Sequence, residues 1–302
     1  MGAMDTSSRY RGRFAPTPSG PLHFGSLIAA LGSYLDARAA GGEWHLRIED
    51  IDPPRCPEGA ADTILAQLEA FGLHWDGPVV YQSRRHEAYQ HALEQLIERG
   101  LAYPCSCSRK QWQAYAVYPG WCREGLCEPG KPVAWRLRSD LARRPIYWQD
   151  RLFGEQRFDP AELGDVVLKR KEGLWAYQLA VVVDDAEQGM SDIVRGVDLL
   201  DNTPWQGQLQ AALGYPVPRY LHLPLIVTRE GQKLSKQNLA PALACHPDAV
   251  RLALFQAITA LDQAPPADLA DASPARQLEW AVGHWRPEHL RPLRERPLPE
   301  ED

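Results

Sequence analysis

Apolar and polar positions fall into alternating blocks along the first hundred residues. Residues 12–15 read as a short strand, and a turn rich in Pro, Ser and Gly follows. Residues 27–40 form an apolar, helix-prone run with Ser26 placed to cap it. Residues 43–49 alternate as a strand does. Ile64, Leu65, Leu68 and Phe71 recur at helical spacing, as do Ala88, Leu93, Leu96 and Ile97, with Gly100 as the stop. Strands alternating with helices predict an α/β fold with a doubly wound parallel sheet. From Pro104 to Leu174 the rhythm breaks. This stretch is rich in Cys, Pro, Gly and Trp, with strand-like pieces at 133–137 and 166–169. It reads as an insertion (104–174) between two halves of one nucleotide-binding domain, 11–103 and 175–240. The second half opens with the apolar run 177–183, read as a strand. Asp184 and Asp185 then stand where a following helix would be capped. A helix at 204–213 and a strand at 223–227 complete it. Helical segments at 241–290 and a polar tail without structure at 291–302 close the chain.

Composition adds exclusions. At 302 residues the chain can bury a real core, and 44% hydrophobic with 24% charged residues is ordinary for a globular protein. No run of about 18 apolar residues exists, and residues 1–10 carry no apolar signal segment, so no membrane partner and a cytoplasmic setting are expected. The net charge of −6 does not advertise nucleic-acid binding. Phosphate contacts depend on local patches, however, and basic clusters occur at Arg84-Arg85, Arg143-Arg144 and Lys169-Arg170-Lys171.

Two stretches carry chemistry. In Arg13-Phe14-Ala15-Pro16-Thr17-Pro18-Ser19-Gly20-Pro21-Leu22-His23-Phe24-Gly25-Ser26 a loop feeds a helix N-terminus, whose free N–H groups and dipole favour phosphate. His23 supplies a further donor, and Gly25 lets a flat ring approach the backbone. In the other, four of six cysteines, Cys105, Cys107, Cys122 and Cys127, crowd one segment, which reads as a tetrahedral thiolate zinc site before it reads as disulfides. Spacing alone makes Cys127 the fourth ligand.

His23-Phe24-Gly25 early and Lys233-Leu234-Ser235-Lys236 late form a paired signature, by which the chain resembles the class I aminoacyl-tRNA synthetases. Arg47-Ile48-Glu49-Asp50-Ile51-Asp52-Pro53 and Val194-Arg195-Gly196-Val197-Asp198 narrow the resemblance to the glutamyl-tRNA synthetases. It spans residues 11–240. The stretch after Lys236 is too short for an anticodon-reading domain of about 100 residues. The nearest likeness is therefore to the truncated paralogues that modify queuosine in tRNA(Asp). This implies ATP-dependent ligase chemistry: L-glutamate and ATP with Mg²⁺ as substrates, then transfer to the tRNA(Asp) anticodon loop, by a monomer. It implies His23, Lys233 and Lys236 as catalytic groups, with Gly25, Ser26 and Ser235 joining them around ATP. The glutamate site would comprise Arg13, Phe14, Ala15, Pro16, Thr17, Glu49, Tyr177 and Arg195. It also implies Tyr118 as fourth ligand of one structural zinc beside Cys105, Cys107 and Cys122, because Tyr118 and Cys122 match a Tyr-x-x-x-Cys pattern.

Ser26 stands where the wider family has a second His, and Leu234 and Gln237 depart from Lys-Met-Ser-Lys-Ser. Each departure at the two motif ends removes a potential phosphate contact, and both recur in the truncated paralogues. A salt bridge to Arg47 or Arg55 is the other reading of Glu49. Two other functions remain open: a compact synthetase charging a tRNA 3′ end, and a nucleotidyltransferase with a non-RNA substrate.

Overall fold

The computed structural model describes residues 9–141, 146–227 and 241–297, the side chains of 160 and 161 excepted. In chain order the first half comprises β1 (Arg11–Phe14), α1 (Phe24–Ala39), β2 (Glu43–Ile48), α2 (Ala60–Ala70), β3 (Val80–Tyr81) and α3 (His86–Glu98). After β4 (Ala102–Cys105) and β5 (Ala134–Leu137) come β6 (Ile146–Asp150), β7 (Gly154–Phe158), α4 (Pro160–Leu163) and β8 (Val167–Lys169). The second half holds α5 (Tyr177–Glu187), β9 (Asp192–Gly196), α6 (Thr203–Leu213), β10 (Arg219–Leu223) and β11 (Leu225–Val227). The chain continues with α7 (Pro247–Ala260), α8 (Pro274–His284) and β12 (Glu295–Pro297).

β1, β2 and β3 pair in parallel. β9 and β10 pair in parallel, β10 continues to β6, and the β6–β7 hairpin closes the edge. β1 runs beside β9, where the Ser191 N–H donates to the Arg11 carbonyl at 2.9 Å. The three-stranded sheet β1-β2-β3 thus lies edge to edge with the four-stranded sheet β7-β6-β10-β9, which takes in residues 146–158. A separate antiparallel sheet, β4-β5-β8, carries the Cys-rich segment.

α1 lies across this junction because Leu27, Ile28, Leu31 and Leu35 recur on one face while Ala30, Gly32 and Ala37 keep the helix close. A Cβ at Gly32 would stand 2.5 Å from Leu223 Cδ1, so the glycine lets the Leu223 side chain pack directly on the helix. Asp36 ties three other parts of the chain to α1. It accepts from the Tyr10 hydroxyl at 2.5 Å, from Arg151 at 2.5 and 2.8 Å, and from the Trp285 indole at 2.9 Å. Within the Cys-rich lobe Asp165 does the same for Tyr103, Ser139 and Arg123, the last bidentate at 2.7 and 2.8 Å.

Three readings from sequence change. The run 177–183 is a helix rather than a strand. Residues 178–185 are all buried, and a helix enclosed on every side shows the same unbroken apolar run as a buried strand. The strand lies further on, at β9. The tail is also ordered through Pro297: β12 pairs in parallel with β11, Leu290 is buried, and the Arg296 guanidinium donates to the Ala260 carbonyl at 2.5 Å and pairs with Asp262. Its partners lie far back in the chain, beyond the reach of local composition. Finally, the cap of α1 is His23, not Ser26. His23 has extended backbone and its Nδ1 accepts from the Ser26 N–H at 3.3 Å.

Candidate active site

The turn 15–22 ends β1 and delivers His23 to the N-terminus of α1 at the C-terminal edge of the sheet, where a doubly wound fold binds ligands. Because His23 Nδ1 accepts from Ser26, its neutral ring carries the proton on Nε2, a donor suited to phosphate. A cavity of about 710 Å³ opens here. Phe14, Pro16, Thr17, His23, Gly25 and Ser26 form one wall, and Gly196 with residues 223–226 the other. A Cβ at Gly196 would lie 2.5 Å from Asp198 Oδ1, so a larger residue there would require the Asp198 side chain to shift. Lys233, Ser235 and Lys236 lie outside the described residues. The described residues on either side flank the cavity: Ile226 of β11 lines it, Ala242 bridges to His23, and the Leu243 N–H donates to the Leu22 carbonyl at 2.8 Å.

Beneath the loop, a cluster of buried charges joins β1, β2 and α5. Arg13 donates to both oxygens of Asp185, at 3.1 and 3.2 Å. Arg47, fully buried on β2, donates to Asp185 Oδ1 at 2.8 Å and to Gln188 at 2.7 Å, and lies 3.5 Å from Glu49. Asp184 points the other way, to Arg85 at 2.5 Å, Gln82 at 2.8 Å and the Tyr89 hydroxyl at 2.9 Å. Burial would raise the Asp185 carboxyl, but Arg13 and Arg47 hold it below the usual carboxylate range. Glu49 is less well compensated. Burial pushes it up to about 7 against the pull of Arg47 and Arg13, with Asp185 and Asp184 adding to the rise. A carboxylate so placed is poised to receive a cation. Tyr177, at the start of α5, is raised chiefly by burial, with Glu49 and Asp185 adding to the rise and Arg195 and Arg13 opposing it. Arg195 donates to His222 Nε2 at 3.1 Å and Thr203 Oγ1 at 2.9 Å, while its Nη1 is buried without a partner among the described residues. A buried guanidinium nitrogen without a partner among the described residues and an under-compensated carboxylate are complementary to a zwitterion that carries a further anion.

In the Cys-rich lobe the sulfurs of Cys105, Cys107 and Cys122 lie within 4.8 Å of one another, all buried. The Tyr118 hydroxyl sits 3.5 Å from Cys107 Sγ and accepts from the Cys122 N–H at 3.0 Å. Cys127 is exposed and lies at the rim of the cluster: its backbone N–H donates to Cys122 Sγ at 3.4 Å and its thiol interacts with those of Cys122 and Cys107. Burial alone would raise the Cys122 thiol; the Cys127 N–H, the Tyr118 hydroxyl and the Ser106 N–H bring it down to about 5.

Residues 9–116 and 123–267 match the model of the class I tRNA synthetase (E and Q) catalytic domain. The chain belongs to this family. The glutamyl-Q tRNA(Asp) synthetase of Ectopseudomonas mendocina is 52% identical over 281 residues, spanning 92% of this chain and 94% of that protein. The Pseudomonas aeruginosa protein of the same name is 52% identical over 298 residues, spanning 98% and 99%. Among solved structures, a glutamate tRNA ligase from Elizabethkingia meningosepticum, in complex with its amino acid, superposes with a TM-score of 0.79 at 26% identity. The match covers 94% of this chain and 66% of that one. Glu49, Arg13 and Arg195 each act on the charge of Tyr177, while His23, Gly25 and Ser26 line the cavity beside Phe14 and Gly196. The groups that hold them escape a reading of the sequence. Asp185 reads there as a helix cap and Arg47 only as a partner of Glu49, while Thr203 and His222 carry no signal. The signal for Asp184-Asp185 is present: two acids ending an apolar run must be paired if that run is buried.

Proposed function

We propose that the protein activates L-glutamate with MgATP and transfers it to queuosine in the anticodon loop of tRNA(Asp). What carries this reading is similarity at 52% identity across nearly the whole length of proteins named glutamyl-Q tRNA(Asp) synthetase. The site supplies matching chemistry. In the first step an oxygen of the α-carboxylate bonds to the α-phosphorus of ATP, the bond to the bridging oxygen breaks, and pyrophosphate leaves. No covalent enzyme intermediate is needed, so catalysis is alignment plus stabilisation of charge on phosphate oxygens. His23 Nε2–H and the α1 N-terminus meet the phosphates, and Lys236, supported by Lys233, meets the charge that grows on them. Glu49 receives the α-ammonium. Arg195 receives the side-chain carboxylate, for which a guanidinium fork is suited, and Arg13 adds positive charge to the site. In the second step a hydroxyl of the queuosine ring attacks the acyl carbon and AMP leaves. A tRNA substrate sets this work in the cytoplasm, and the enzyme acts as a monomer.

The Cys105, Cys107, Cys122 and Tyr118 donor set fits one structural zinc. Three thiols and a phenol converge, a divalent cation favours their deprotonated forms, and the lobe otherwise has a small core. Its task is to fix the shape of the lobe that borders the site. The test of the activation step is glutamate-dependent pyrophosphate exchange without RNA. Glutamate should support it and glutamine should not, since glutamine leaves a buried guanidinium unpaired. Equal exchange with both amino acids would refute the assignment.

A further inference from the structure

Arg195 is oriented by two groups behind it. His222 on β10 is the register partner of Arg195 on β9, and it is fully buried. Its Nε2 lies 3.1 Å from Arg195 Nε and its Nδ1 lies 2.6 Å from Asp150 Oδ2 at the end of β6. Arg195 Nε carries a proton in every state, so Nε2 must present a lone pair and Nδ1 must hold the imidazole proton, donated to Asp150. Burial and Arg195 keep the ring neutral, drawing it down to about 4 against the opposing pull of Asp150. The other oxygen of Asp150, Oδ1, accepts the N–H groups of Leu152 at 3.0 Å and Phe153 at 2.9 Å, which fixes the carboxylate. Thr203 takes Arg195 Nη2 at 2.9 Å, and Nη1 is left over.

We propose that Asp150 and His222 are a positioning pair: by fixing the imidazole tautomer they lock the Arg195 guanidinium with Nη1 reserved for the side-chain carboxylate of the substrate, and so set the preference for glutamate over glutamine. This rests on the reading of Arg195 given above.

Asp150→Asn tests it with little change of shape. Because Oδ1 already serves two backbone donors, the asparagine oxygen stays there and its NH₂ faces His222 Nδ1. The imidazole proton must then move to Nε2, where one N–H confronts another on Arg195. In pyrophosphate exchange the KM for glutamate should rise about tenfold or more, as for loss of a hydrogen bond to a charged group. The KM for ATP should stay within about twofold, since the His222 side chain is not among those that line the cavity around His23. The ratio of kcat/KM for glutamate over glutamine should fall with it. Nitrogen-15 histidine spectra should show His222 as Nδ1–H in the unaltered protein and Nε2–H in the variant. A purely structural role for Asp150 would not move glutamate KM apart from ATP KM.

An Nε2–H signal in the unaltered protein overturns the proposal without any variant, as does an unchanged glutamate KM alongside a switched tautomer. Should Asp150→Asn not fold, two substitutions replace it. His222→Gln can accept from Arg195 and should hold glutamate KM closer to that of the unaltered protein, whereas His222→Leu cannot; equal KM values overturn the pair. If the unaltered protein shows no glutamate-dependent exchange, the functional reading fails, and the tautomer spectrum still reports on the relay.

Discussion

Glu49 should make glutamate binding depend on pH in the neutral range. It is buried among Arg47 from β2, Arg13 from β1, and Asp184, Asp185 and Tyr177 from α5, and burial lifts it to about 7 in the ligand-free site. The other groups there titrate elsewhere: Asp185 is held low, Tyr177 is raised, and His222 sits at about 4. An α-ammonium bound beside Glu49 favours its ionised form, so binding expels a proton whenever Glu49 holds one. With a pKa of about 7, the ionised fraction falls from about 0.9 at pH 8 to about 0.1 at pH 6, and apparent affinity for glutamate should fall about tenfold over that range. The amino acid itself changes no charge there. Exchange kinetics at fixed saturating ATP measure this directly, as the KM for glutamate against pH. The linked stability has the opposite sense. A folded-state value raised above the unfolded one contributes stability at low pH that is lost as pH rises through about 7, so the ligand-free protein should melt lower at pH 8 than at pH 6, and Glu49→Gln should flatten the difference. A glutamate KM that is constant between pH 6 and 8 would refute the placement of the ammonium on Glu49.

Lys236→Ala should slow exchange by at least about tenfold with its thermal midpoint unchanged, as for most substitutions that remove a single charge without opening a core cavity; equal rates would refute its role. Metal analysis should find one zinc per chain, lost in Cys105→Ser and Tyr118→Phe and retained in Cys127→Ser; zinc retained in Tyr118→Phe but lost in Cys127→Ser would reverse the ligand choice. Asp36→Ala strands buried donors on Tyr10, Arg151 and Trp285 and should cost about 3–5 kcal/mol in urea unfolding. A loss below about 1 kcal/mol would show that the hub does not bind the chain together.

The sheet, its first helices and the turn that delivers His23 to α1 are legible in the sequence because their signals are local. Periodicity marks α1, α2 and α3, and a proline-rich turn before a helix marks His23. The amino-acid site is legible only through motif resemblance, since nothing in the spacing of Arg13, Glu49, Tyr177 and Arg195 says that they meet. α5 reads as a strand because an enclosed helix has no polar face to set its period, and that reading hides Asp185 as the partner of Arg13 and Arg47. The β6–β7 hairpin alternates weakly and sits in a segment dominated by the stronger signal of its cysteines. β12 depends on a partner strand about 70 residues earlier, and Asp150, His222 and Arg195 meet only where three strands pair side by side.

The acceptor group distinguishes modification of the anticodon loop from charging of a tRNA 3′ end. Labelled glutamate and ATP are incubated with three tRNA(Asp) preparations: intact with queuosine, queuosine-containing with the 3′-terminal adenosine removed, and intact without queuosine. The account predicts equal labelling of the first two, with the label mapped to the anticodon loop, and none of the third. Labelling that requires the terminal adenosine, or that proceeds without queuosine, would contradict it and identify a compact enzyme that charges the 3′ end.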